Sequence, residues 1–559
     1  MGAIDIVTLA TIPLAIAIAS SDTTLYIGKS LGYNISLDKE KFLVVFIALF
    51  SFRLIFGYIA LRAIYGFSER VDTFLRSRLL HAYLNMSAGN YSDRNSAAFI
   101  NASQGLCAQF SFGTLSIFMR LIFEVVIILS ILSFFAYFSF KMLTLLAAFI
   151  LLIGSIYYFT IKNPAYSYGK IITIKGAELI GLIQSAINGF KEIKVYGFAG
   201  RFVSKIEATS KDFSLANKNQ LVTTAVGRSF IDFSALVFMI SVVGAMYMSE
   251  FSHAEIVSFF GVFSVGMWRI LPCIGQITSS LTSLSYGSYG VDILYKDLLT
   301  YKLNDDQLSA QENADPLKGI NFNKLELQEI SFSYGSHLIL KNINLSISKG
   351  DMIGLIGPSG SGKTTLAELI VGLLRPTSGK TILNGFDISS LPDEYRFKYF
   401  AYLPQEVFIY NETVLENITL GLSEPNNSIK IYEAARKSQL TSLIDHGSDG
   451  LNLLCGEDGA KLSGGQRQRV SIARAIYHDK QVIVFDESTS ALDKNTEKEL
   501  LAELVQLNRI GVTVIIIAHK FQTLIHCNRH VLVMDRGAKE VSYEFTKEYF
   551  EDEKIIRSK

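Results

Sequence analysis

The sequence predicts two joined folds: an α-helical transmembrane domain of six helices, and an α/β domain built around a phosphate-binding loop. Three observations carry this. Apolar residues make up 49% of the 559-residue chain against 18% charged, and the apolar excess lies mostly before about residue 300. Six stretches there approach the roughly 20 apolar residues that a helix needs to cross a hydrocarbon core. In the second half, GPSGSGKTTL stands at 357–366, between an apolar strand pattern and a helix pattern.

The six stretches are Ile4–Ser20, Phe42–Leu61, Leu121–Phe140, Met142–Phe159, Phe230–Met248 and Ile256–Ile274. The first is short, but no basic residues precede its apolar run, so it reads as a retained helix and not a signal peptide. Lys and Arg crowd two of the connecting segments. Arg62, Arg70, Arg76, Arg78 and Arg94 follow the second helix, and a longer series from Lys162 to Arg228 follows the fourth. These segments are therefore expected in the cytoplasm, with the short links at Lys141 and 249–255 outside. Val71, Leu75 and Leu79 share one helical face, so the cytoplasmic segments read as membrane helices prolonged beyond the bilayer.

Four charges fall within the apolar runs: Arg53, Glu124, Asp232 and Arg269. Arg53 and Asp232 are expected to snorkel to the interface. Glu124 and Arg269 are expected to face a cavity or a partner, because a charge inside the bilayer is costly. The net charge of +1 gives no basic signature for nucleic acid, which is not expected as a partner. Cys107, Cys273, Cys455 and Cys527 are far apart and have neither metal-ligand nor disulfide spacing, so they read as packing residues.

The polar stretch 302–323 marks a linker between a membrane domain over 1–301 and an α/β domain over 324–559. DMIGLIG is a strand feeding the glycine loop. Gly357, Ser359, Gly360 and Gly362 let backbone N–H groups turn toward phosphate at a helix N-terminus. Lys363 is expected on the β- and γ-phosphates, Thr364 on Mg²⁺, and Thr365 in the same first turn. VIVFDE at 482–487 is a second strand, ending in Asp486, a candidate metal ligand, and Glu487, a candidate general base for the attacking water.

LSGGQRQR at 462–469 resembles the signature sequence of ATP-binding cassette (ABC) proteins, with Ser463, Gly464, Gly465 and Gln466 in the motif positions. YLPQ with Gln405, SALD with Asp493 and IIIAHK with His519 resemble the family's Q-loop, D-loop and switch histidine. Tyr334 in FSYG resembles the aromatic that stacks on adenine, and Gly456, Glu457 and Gly459 resemble the acidic loop of ABC exporters. The resemblance spans about residues 325–540 and implies ATP and Mg²⁺, with catalytic roles for Glu487, His519 and Gln405 and a metal role for Gln405. The family often has Arg after the switch histidine; Lys520 stands here, where it is not expected to reach the γ-phosphate. The resemblance further implies an exporter with one cassette per chain, working as a homodimer in which Ser463 of one copy closes on ATP held by the other.

RLIFEVVIIL at 120–129, MWRILPCIGQI at 267–277, SFRLIFGYIALR at 51–62 and NGFKEIKVYG at 188–197 resemble bacterial lipid-linked oligosaccharide flippases of the PglK type. That likeness implies an inner-membrane protein, a short external helix within LYIGKSLGYNI at 25–35, and an amphipathic substrate. Members of that family have a cytoplasmic lead-in before the point that matches Met1, so either the true start lies upstream or the first helix is short. Arg269 is a candidate for the lipid's pyrophosphate, since guanidinium matches phosphate oxygens. A pairing of Arg269 with Glu124 that orients helices is the other reading. Export of drugs, peptides or small hydrophobic molecules is the alternative function. A soluble cassette acting in DNA repair or translation is disfavoured by six membrane spans.

Overall fold

The computed structural model describes residues 25–27, 35–37, 39–86, 95–138, 140–249, 252–309, 317, 319–388, 391, 393–422, 428–440, 450–486, 494–518 and 520–557. The chain divides into two compact units, Met1–Leu84 with Arg94–Asp305, and Asn85–Asp93 with Asp306–Lys559.

The first unit is helical. α1 (Lys39–Leu84) is followed by α2 (Ser96–Ile100), which runs on through π-helical turns at Asn101–Leu106 and Gln109–Leu115. Then come α3 (Ser116–Phe138), α4 (Phe140–Thr160), α5 (Lys162–Asn188), α6 (Ala199–Met248) and α7 (His253–Ser309). Among the described residues, five helical stretches are long and apolar enough to cross a membrane: Phe50–Leu84, Gln109–Ser133, Leu143–Thr160, Ala199–Met248 and Phe259–Thr300. The expected span at 4–20 lies outside the described residues.

The expected prolongation is present. α1 has 46 residues, α6 has 50 and α7 has 57. At about 1.5 Å per residue each is roughly 70 Å or longer, beyond the about 45 Å of a whole bilayer. α7 also takes in the start of the stretch read as linker, since helix continues to Ser309.

The stretch 25–35 departs from expectation. Its described ends are strands, β1 (Leu25–Ile27) and β2 (Ile35–Leu37), paired antiparallel with Tyr26 opposite Ser36. Gly28, Gly32 and Asn34 between them disfavour helix and favour turns.

The unit's core joins α3, α4, α6 and α7 through Ile131, Phe135, Phe149, Ile231, Phe263 and Met267. Gly266 makes the tightest approach. A Cβ there would stand 2.4 Å from Cζ of Phe135, so the absence of a side chain admits the ring. Farther along, the Tyr83 hydroxyl donates to Asp297 Oδ2 at 2.7 Å and ties α1 to α7.

The second unit is α/β. A four-stranded antiparallel sheet has β3 (Lys324–Tyr334), β4 (His337–Ser348), β6 (Ser378–Leu383) and β7 (Phe386–Asp387) in the order β4-β3-β6-β7. A six-stranded sheet has β5 (Met352–Ile356), β8 (Phe400–Leu403), β9 (Val482–Asp486), β10 (Thr513–Ile517), β11 (Arg529–Met534) and β12 (Gly537–Val541). Its order is β12-β11-β5-β10-β9-β8, parallel except for the β11–β12 pair. β5, β9 and β10 are buried throughout, as continuous apolar strands covered on both faces should be. The helices of this unit include α8 (Lys363–Val371), α9 (Val414–Thr419), α10 (Ser428–Lys437), α11 (Gly464–Tyr477), α12 (Lys494–Arg509) and α13 (Tyr543–Arg557). The four cysteines are buried thiols.

Candidate functional site

In an open parallel sheet, ligands bind beyond the carboxyl ends of the strands. β5 ends at Ile356 and feeds the glycine loop, and β9 ends at Asp486 with Ile517 of β10 opposite it. The loop backbone depends on glycine. Gly357 has φ +146°, and a Cβ there would stand 2.2 Å from the Val533 carbonyl oxygen. Gly362 caps α8 at φ +99°. Lys363 is 5% exposed, and its Nζ donates to the carbonyls of Gly357 at 3.0 Å and Pro358 at 2.9 Å. The ammonium thus lies across the loop at the helix N-terminus, where an anion is favoured. Ser361 Oγ is buried there with no hydrogen-bond partner, an orphaned polar atom that fits a phosphate oxygen. Spacing alone did not single out Ser361.

Ser359, Gly360 and Thr364 are exposed around this loop, and Gln405 is exposed just after β8. Thr365 is buried in the first turn of α8. Tyr334, 40% exposed, is T-shaped on Phe332 with ring centroids 4.8 Å apart, leaving ring surface open for stacking. Burial, and then Glu368, raises its phenol above the ordinary range.

Asp486 is 8% exposed, and the Tyr402 hydroxyl donates to its Oδ2 at 2.7 Å. Glu368 of α8 sits in the same field. Burial and the charge of Asp486 raise its carboxyl, while burial and the bond to Asp486 raise the Tyr402 phenol. Sequence reading missed both. A tyrosine inside a strand and a glutamate in a helix carry no motif. Glu487, Asp493 and His519 lie outside the described residues.

Ser463 is the N-cap of α11. Its Oγ accepts from the Gln466 amide at 3.2 Å, and Gln466 Oε1 accepts from the Ser463 amide at 2.8 Å. This reciprocal pair is a capping box. It fixes the serine hydroxyl at the N-terminus of a 14-residue helix, beside Gly464 and Gly465. Arg467 donates to the carbonyls of Leu462 at 3.0 Å and Gly459 at 3.4 Å, binding the acidic-loop segment to the same helix.

In the helical unit, Arg53, Arg120, Glu124, Arg228 and Arg269 line one cavity of about 860 Å³. The cavity gathers side chains from α1, α3, α6 and α7. Arg53 therefore belongs with Arg269 and not with the snorkelling charges, while Asp232 is exposed. Pro272, which also lines the cavity, leaves the helical ladder of α7 without one N–H.

Residues 6–270 match the family model of the ABC transporter transmembrane region, and residues 340–490 match that of the ABC transporter. This chain is an ABC exporter with its transmembrane and ATP-binding domains fused. The fold agrees with a solved bacterial Atm1-family ABC exporter with ATP bound, at TM-score 0.79 and 17% identity over 98% of this chain and 95% of that one. An ATP-dependent lipid A-core flippase of Ralstonia nicotianae is 27% identical over 478 residues, 84% of this chain and 78% of the relative. An alpha-hemolysin translocation ATP-binding protein of Escherichia coli O157:H7 is 40% identical over 215 residues, 38% of this chain and 30% of the relative. The exporter couples ATP hydrolysis to transport through its membrane helices.

Proposed function

We propose that two copies of this exporter pair to move an amphipathic, glycan-bearing phospholipid, such as a lipid-linked oligosaccharide, across a bacterial cytoplasmic membrane. The cavity carries the reading. Four guanidinium groups and one carboxylate face the same space among apolar helices, an arrangement that favours an anionic ligand. Guanidinium offers bidentate bonds to phosphate oxygens. A second cavity of about 500 Å³, lined by Ile153, Val222 and Phe230 among others, shares Thr224 and Ser279 with the first. A cationic subsite thus adjoins an apolar one, as a lipid phosphate and its tail require. The lipid A-core flippase relative supports a lipid substrate. Export of a peptide or drug draws support from the alpha-hemolysin relative, but that likeness covers 38% of the chain, and such cargo leaves the four arginines without a role.

In the cassette, Lys363, Ser361 and the N–H groups of the glycine loop hold the phosphates, and Tyr334 stacks on adenine. Ser463 of a second copy closes on the γ-phosphate with the N-terminus of its α11. Glu487 takes a proton from the attacking water, and His519 holds the γ-phosphate. Thr364, Gln405 and Asp486 form an all-oxygen donor set that suits Mg²⁺, which when bound neutralises charge on the phosphates. Because the closed and open cassette pairs differ in affinity for ATP, hydrolysis shifts the membrane helices between two states.

The test is ATP hydrolysis by the purified protein in lipid, with and without a polyprenyl-pyrophosphate glycan. Stimulation by the glycan lipid, lost in Arg269→Ala, is the expected result. Hydrolysis indifferent to that lipid overturns the substrate class.

A further inference from the structure

Tyr402 does something that the ATP-binding motifs do not require. It stands on β8, three residues before Gln405, and lies opposite Val484 in the parallel β8–β9 pair. Its ring reaches along β9 far enough for the hydroxyl to donate to Asp486 Oδ2 at 2.7 Å. Asp486 ends its strand at 8% exposure, so this bond lies in a largely desolvated place where a charge-assisted contact is strong.

A carboxylate at the end of a strand has a broad, roughly two-fold torsion about its last bond. Free rotation would spread its lone pairs over many directions. A donor fixed on one oxygen removes that freedom and leaves the rest of the carboxylate presented in one orientation. Glu368, the neighbouring carboxylate, does not supply such a donor when ionised, since ionised carboxylates only accept. The phenol does. Tyr402 also shares a short segment with Gln405, so the bond holds the strand that leads to one oxygen donor against the other.

We infer that Tyr402 is a positioning residue for the metal site: it fixes the Asp486 carboxylate and keeps Gln405 and Asp486 in a common frame. The inference rests on Asp486 as a metal-holding residue, and the test separates the two claims.

The full chain carrying Glu487→Gln, which blocks hydrolysis, is titrated with a fluorescent ATP analogue, first in EDTA and then against rising Mg²⁺. Tyr402→Phe and Asp486→Asn are each added to that background. In EDTA, Tyr402→Phe should bind the analogue as its parent does. It should then need about 10- to 100-fold more Mg²⁺ to reach half of the metal-dependent tightening, and Asp486→Asn should be displaced at least as far. A parental Mg²⁺ curve for Tyr402→Phe beside a displaced one for Asp486→Asn overturns the inference alone. Parental curves for both overturn the metal assignment and the inference with it. Weaker binding by Tyr402→Phe in EDTA makes the tyrosine a general structural residue and also overturns it.

Discussion

Arg469 on the signature helix α11 brings Nε to 3.4 Å from Oε1 of Glu503 on α12, and Glu503 is 1% exposed. Arg469 also reaches Glu499 at 2.5 Å, so one guanidinium serves two carboxylates. Neither oxygen of Glu503 has a hydrogen bond. Burial pushes its carboxyl up to about 7, although Arg469 pulls the other way.

That relationship fixes a sign. An acid whose folded pKa lies above its unfolded value binds its proton more tightly when folded. The folded cassette therefore loses stability as pH rises from about 4.5 through about 7. The cost at pH 8 is on the order of 3 kcal/mol. Glu503→Gln should raise the unfolding midpoint at pH 8 and raise it far less at pH 5. A shift of equal size at both pH values would remove Glu503 as the cause.

Arg474 places a second test on the same helix. Its NH1 donates to the Phe408 carbonyl at 2.7 Å and its NH2 to Asn417 Oδ1 at 2.9 Å, and Asn417 is fully buried. Truncation strips the Phe408 carbonyl and the buried Asn417 of charge-assisted donors, leaving Asn417 Oδ1 with the Tyr410 amide at 3.1 Å. Arg474→Ala should destabilise the cassette by roughly 2–4 kcal/mol, read by denaturant unfolding. A change under about 0.5 kcal/mol, the range of ordinary surface substitutions, would contradict the packing account.

In the membrane unit, Gly266→Ala should be costly because the new Cβ meets a fully buried ring at 2.4 Å. Overpacking of this kind costs about 1–3 kcal/mol. Thermal unfolding in detergent should show the loss, and adding Phe135→Leu should recover part of it. Absence of recovery would place the strain elsewhere.

Catalysis gives a separate prediction. Glu487→Gln and His519→Ala should each cut ATP hydrolysis by about 10²–10⁴-fold while nucleotide binding persists. Wild-type turnover in Glu487→Gln would transfer the base role to another residue.

The legible part of this protein is the part whose chemistry demands fixed spacing. Gly357, Gly362 and Lys363 must stand where they do for a loop to hold phosphate, and Ser463 with Gln466 forms the capping box that LSGGQ encodes locally. Tyr402 was not legible because its partner Asp486 is 84 residues away and only the β8–β9 pairing brings them together. Arg53 and Arg228 read as a snorkelling charge and a cytoplasmic charge; the arrangement of α1, α3, α6 and α7 brings both to the lining of one cavity. The pairing of β1 with β2 was missed for another reason. Leu-Tyr-Ile and Ile-Ser-Leu are too short for periodicity to separate strand from helix.

The central claim is that ATP drives a glycan-bearing lipid through the arginine cavity. The direct measurement is transfer of a fluorescent polyprenyl-pyrophosphate glycan between the leaflets of proteoliposomes. Transfer should require ATP, stop in Glu487→Gln, and fall at least tenfold in Arg269→Ala while its lipid-independent hydrolysis of ATP continues. Undiminished transfer in Arg269→Ala, or none in a wild-type preparation that hydrolyses ATP, would contradict the account.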